Sequence, residues 1–210
     1  MELILSLVLG AGLFLILNYY FKNGRGSLVF CVIGAILLSA FFFLLFRNLP
    51  LIVFIPFMAF YFNMALLSLE DIKKLSVPDW QIAAFGVSAL TMRIFLPLPL
   101  VNNIISAAAG FLLLFIPYLV TRRKGIGIGD VLVFTGCALL LTLAETLIVF
   151  LFTGVSALIY AVLRYAILKK KDRIPLIPFI ALSTVLTMGL RDYIIPLLGL
   201  SDLYNTQFLY

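Results

Sequence analysis

The chain alternates between long apolar runs and short polar breaks, and the runs have the length of membrane-crossing helices rather than of strands. Reading from break to break gives eight of them, at about 2–21, 27–46, 51–69, 80–96, 100–120, 131–144, 146–168 and 175–198. Crossing a hydrocarbon core takes roughly 17–25 residues of helix. The first run has Glu2 ahead of it and no small-residue cleavage pattern behind it, so it reads as a span and not as a cleaved signal. Only Glu145 and its small neighbours divide the sixth run from the seventh. The expected fold is therefore all-α: a polytopic membrane helix bundle of about eight transmembrane helices, with six to eight as the range.

Composition agrees. With 64% hydrophobic residues, 11% charged and a mean hydropathy of +1.22, an ordinary water-soluble domain is excluded. The polar breaks are too short to fold by themselves, so residues 1–210 read as one integral-membrane domain. Twelve of the fifteen basic residues fall in alternate loops, at Lys22 and Arg25, Lys73 and Lys74, Arg122 to Lys124, and Arg164 to Arg173. That bias puts the odd-numbered loops in the cytoplasm and both termini outside. The net charge of +6 then reads as topology and contact with lipid headgroups, and nucleic acid is not an expected partner. Cys31 and Cys137 lie in separate apolar runs, which rules out a CxxC zinc site; no metal and no cofactor is expected.

The chain has no histidine, so a Ser-His-Asp triad, a Cys-His pair and an HExxH site are all unavailable. Two aspartates held close together can still hydrolyse a peptide bond. Like charges at short range cannot both ionise, so the pair shares a proton; one member activates water and the other protonates the carbonyl oxygen. Of the nine acids, Glu2, Glu145, Asp192 and Asp202 fall on the outer side, and Asp172 sits among Lys169, Lys170, Lys171 and Arg173 as a solvated partner. Glu70, Asp71, Asp79 and Asp130 remain. Asp130 follows Gly125-Ile126-Gly127-Ile128-Gly129 at the start of a run, where its structural role would be that of an N-cap. The glycines suggest a sharp bend or the close approach of another backbone, such as an extended substrate. Asp79, between Pro78 and Trp80, reads as the N-cap of the fourth run. The residues alone do not separate Asp71 from Asp79.

Three segments, taken in order, resemble the motifs of the type IV prepilin peptidase family, including its archaeal preflagellin peptidases. Asp71-Ile72-Lys73-Lys74-Leu75-Ser76-Val77-Pro78-Asp79 is similar to the first, an aspartate followed seven residues later by the proline of an Ile/Val-Pro-Asn/Asp step. Gly127-Ile128-Gly129-Asp130 is similar to the GxGD motif, and Ile174-Pro175-Leu176-Ile177-Pro178-Phe179-Ile180-Ala181 to a third, proline-containing segment. The resemblance implies a GxGD aspartyl endopeptidase with Asp71 and Asp130 catalytic and Asp79 not. Gly127, Gly129, Pro78, Pro175 and Pro178 would shape the site. It implies no cofactor, and as partners the membrane lipids and precursors of type IV prepilins or prearchaellins, cut at the cytoplasmic face of a prokaryotic cell membrane behind a short basic leader. On this reading 1–49 is a two-helix N-terminal part and 50–198 the catalytic core. The cytoplasmic domain with two CxxC pairs found in bacterial members is absent, so methyl transfer is not implied.

Helix position predicts an asymmetry within the pair: Asp130 opens a helix and would be the base, whereas Asp71 closes one and would be the acid. Arg164 reads as a cation snorkelling to the interface. Two other readings compete. A presenilin or signal-peptide-peptidase type protease also uses GxGD, but its Pro-Ala-Leu motif is missing here. A small proton- or cation-coupled transporter would carry its acids near the bilayer midplane rather than at one edge.

Overall fold

The computed structural model describes residues 51–96, 99–122, 125–169 and 173–200. The expected spans at 2–21 and 27–46, and with them the two-helix N-terminal part, lie outside the described residues. The chain divides into two compact units, Met1–Ile55 and Pro56–Tyr210, and the helix packing and the site both lie in the second. Among the described residues there are six helices and no strand: α1 Leu51–Lys74, α2 Asp79–Ile94, α3 Leu100–Val120, α4 Ile128–Ala138, α5 Leu143–Leu168 and α6 Ile177–Leu197.

Three helical stretches are long and apolar enough to cross a membrane, Ile55–Lys74, Leu100–Val120 and Leu143–Ala166. Their packing has the pattern expected in lipid. On α3 the buried positions are Asn103, Ser106, Gly110 and Leu114, while Val101, Ile104, Ile105, Leu112 and Ile116 face outward. The outside is thus more apolar than the inside. Water would penalise that arrangement; lipid favours it, because helices associate in lipid through small and polar residues. The protein is a membrane protein with an all-α bundle.

On α1, Phe57, Phe60, Met64 and Leu67 form a buried stripe at helical spacing, and Asp71 continues the same stripe. Phe60 meets Phe85 of α2 with ring centroids 5.0 Å apart. Across the bundle, the Tyr61 hydroxyl donates to Sδ of Met188 on α6 at 3.2 Å. Helix α4 lies at the centre and touches α2, α3, α5 and α6. It approaches α3 so closely that a Cβ on Gly110 would stand 2.6 Å from Cβ of Ala138, and α2 so closely that one on Gly136 would stand 2.6 Å from Phe85.

The expected sixth and seventh spans need correction. The sixth, 131–144, is an 11-residue helix ending at Ala138, about 16 Å long, far short of a roughly 30 Å hydrocarbon core. The seventh begins at Leu143, and Glu145 does not mark the turn. Thr142 is the N-cap, and its N–H donates to Oε2 of Glu145 at 2.8 Å while the Glu145 N–H donates back to Oγ1 of Thr142 at 3.3 Å. The pair is buried, so Glu145 is a structural cap within the bundle.

Candidate active site

Helix α1 ends through Leu75, which takes a left-handed conformation at φ 52° and donates its N–H to the Asp71 carbonyl at 2.9 Å. The termination leaves Asp71 in the last turn, on the buried face, with 6% of its surface exposed. Glu70 points elsewhere and pairs with Lys74 at 3.0 Å. The chain then turns through Ser76 and Val77 into α2. The N-cap of that helix is Pro78, and Asp79 is its first residue, not its cap.

Asp130 enters from the opposite direction. The N-cap of α4 is Gly127, and Asp130, three residues on, folds its carboxylate back so that Oδ2 accepts the Gly127 N–H at 2.9 Å. Asp130 therefore bonds back to the N-cap amide from the third helical position and is not the cap itself. Gly127 takes an ordinary extended conformation, φ −84° and ψ 152°. What its missing side chain allows is the approach of Asp130, whose Oδ2 would lie 3.3 Å from a Cβ there; at Gly129 the neighbour at 3.3 Å is Ile82 of α2. The close approaches at this motif are thus made by the bundle's own side chains.

Three loops meet at this end of the bundle, those that follow α1, α3 and α5. They surround an open cavity of about 250 Å³ whose lining includes Asp71, Asp79, Gly127, Gly129, Asp130 and Arg173. Of the residues expected at the site, Asp71, Gly127, Gly129 and Asp130 come together here. Pro78, Pro175 and Pro178 do not line the cavity; their neighbours Val77, Asp79, Ile174 and Ile177 do. Among the described residues no group of three acids and thiols is placed to hold a metal ion.

The electrostatics tie the two aspartates together. Burial pushes the Asp130 carboxyl up to about 6; the Gly127 N–H pulls it down, and the charge of Asp71 adds to the rise. Asp71 also has a partner whose pairing with it has no signature in the sequence. The N–H of Ile177, 106 residues away, donates to its Oδ2 at 3.1 Å. Ile177 is the first residue of α6, so Asp71 closes its own helix but stands at the positive end of another. The helix-end asymmetry expected between the two aspartates is cancelled by this contact. The Arg164 Nη1 donates to the Arg173 carbonyl at 3.3 Å, which ties the end of α5 to the segment ahead of α6.

The model of the type IV leader peptidase family matches residues 58–162, a stretch that holds both aspartates and every helix from α2 to α4. Comparison with curated proteins, and likewise with solved structures, finds no match.

Proposed function

Because the chain belongs to the type IV leader peptidase family, we propose that it is a multi-pass membrane aspartyl endopeptidase with Asp71 and Asp130 as its catalytic pair. It removes the leader from type IV prepilin-like or prearchaellin precursors at the cytoplasmic face of a prokaryotic membrane. The observation that carries this reading is the convergence of the two carboxylates, from helices running into the site in opposite directions, on one open cavity. The basic residues at the same end, Lys73, Lys74, Arg122, Lys169 and Arg173, favour the cytoplasmic side for it.

The chemistry needs one shared proton. We assign that proton to Asp130, whose carboxyl burial pushes up to about 6. Asp71 accepts a proton from water as the water oxygen bonds to the scissile carbonyl carbon, and Asp130 gives its proton to the carbonyl oxygen. When the tetrahedral intermediate collapses, the C–N bond breaks and the proton on Asp71 passes to the leaving amine. The hydroxyl proton returns to Asp130, so the pair ends as it began.

Co-expression of the full chain with a tagged prepilin or prearchaellin, followed by the size shift on leader removal, tests the reading. Asp71→Asn and Asp130→Asn each abolish processing, and Asp79→Asn does not. Full processing by either of the first two variants would sink the mechanism.

A further inference from the structure

The first turn of α6 has an unusual donor inventory. A helix leaves its first four N–H groups without intrahelical partners, and they must be satisfied from elsewhere. Here the second helical residue is Pro178, which has no N–H, and the N–H groups of Phe179 and Ile180 both donate to the Leu176 carbonyl at 3.1 Å. The N-cap is Leu176, whose apolar side chain cannot accept a hydrogen bond. The Ile177 amide is thus left to find an acceptor outside its own helix. It finds Asp71. Asp71 caps α6 from across the bundle.

The segment carrying this amide is held along its length. At its start the Arg173 carbonyl is gripped by Arg164, Pro175 is buried, and the Ile177 side chain is only 1% exposed. Two prolines fix φ on either side of the Leu176-Ile177 step. Neither proline reaches the cavity, so their effect on the site runs through the backbone they constrain.

We propose that the backbone N–H of Ile177 is the positioning donor of the active site, and that the Pro175–Pro178 segment serves to hold that amide against Asp71 so that the carboxylate is fixed before substrate arrives. The inference rests on the reading of Asp71 as a catalytic residue. A carboxylate held by a charge-assisted bond keeps one orientation, and small losses of orientation at a reacting group lower the rate steeply.

Ile177→Pro deletes this N–H but also strains Leu176, which is helical at φ −93° and ψ −31°, a conformation that a following proline disfavours; that backbone cost is the same with or without the Asp71 carboxylate, so the cycle below separates it from loss of the donor. Ile177→Val keeps the amide and trims the side chain by one methylene, so it serves as the packing control. For the precursor that the wild type cleaves, Ile177→Pro lowers kcat at least tenfold relative to Ile177→Val with KM within twofold, and Pro175→Ala lowers kcat several-fold. A thermal-unfolding cycle supplies a readout independent of activity: Ile177→Pro lowers the midpoint in the wild type, and by less than half as much in an Asp71→Ala background. A kcat within threefold of Ile177→Val overturns the inference, and so does an equal loss of midpoint in both backgrounds. Collapse of Ile177→Pro in both backgrounds, with Pro175→Ala at wild-type kcat, overturns it as well. Full processing by Asp71→Asn would instead refute the catalytic pair, while the unfolding cycle still reads the contact itself.

Discussion

Gly110 and Gly154 allow one substitution to be run in two environments, and the difference measures how tightly α3 grips the helix that carries Asp130. Replacing glycine by alanine inside a helix stabilises it by about 1 kcal/mol when the new methyl meets nothing. Gly154, on α5, has nothing within 4 Å of its missing Cβ, so Gly154→Ala gains that amount. At Gly110 the new Cβ lies 2.6 Å from Cβ of Ala138 and 3.3 Å from Cε1 of Phe134. Carbon atoms rest at about 3.5–4.0 Å, so the two helices must part by roughly 1 Å. The atom in the way is a Cβ, fixed to backbone, with no rotamer to yield. Overpacking of this kind costs about 1–3 kcal/mol. The propensity gain is common to both variants and cancels, so Gly110→Ala is expected to be less stable than Gly154→Ala by about 1–3 kcal/mol. Thermal unfolding of both in one detergent measures it. Ala138→Gly placed in the Gly110→Ala background removes the opposing methyl and recovers most of the loss. Leader cleavage follows the same order, since Ala138 is two helical turns from Asp130. Gly110→Ala as stabilising as Gly154→Ala would refute the close contact of α3 with α4.

Two further outcomes follow from the caps. The raised Asp130 carboxyl disfavours the ionised form in the folded chain, so its contribution to stability is fully present below pH 3.8 and is lost as pH rises through about 6. Asp130→Asn, which can still accept from Gly127, is therefore close to wild type in stability at pH 4 and more stable by at most about 3 kcal/mol at pH 8; a difference constant across that range would count against the assignment. Thr142→Ala breaks the buried cap of α5 and costs about 1–2 kcal/mol in an unfolding assay, whereas Thr142→Ser keeps the hydroxyl and most of the stability. Equal midpoints for the two Thr142 variants would show that the cap contributes nothing.

What the sequence revealed depended on how local the cause was. Helix α3 begins and ends where expected, at Leu100 and Val120, because Pro99 precedes it and the basic cluster at Arg122 follows. The stripe leading to Asp71 is not legible in the same way, because α1 is apolar on every side and only packing shows that Phe57, Phe60, Met64, Leu67 and Asp71 share the buried face. Thr142 and Glu145 carry the Ser/Thr-x-x-Glu signature of a helix start, but they lie within apolar sequence, where the charge of Glu145 reads as a turn instead. The glycines of the GxGD segment were legible as sites of close approach, but which group approaches is decided by tertiary packing. No local pattern could join Asp71 to Ile177: the proline-containing segment around Ile177 is marked in the sequence, but its pairing with a carboxylate 106 residues away is decided by tertiary packing.

That separation has a consequence in time. The chain leaves the ribosome from its N-terminus at about 5–20 residues per second, so the amide that holds Asp71 is made about 5–20 s after the carboxylate it will meet. Throughout that interval α1 carries its acid without the donor from α6. The nascent chain therefore holds Asp71 before it holds the group that orients it, and the site is completed only when the last described helix docks. An enzyme built in this order is assembled by the end of its own synthesis, and a chain truncated before Ile177 keeps both aspartates but lacks the contact that fixes one of them.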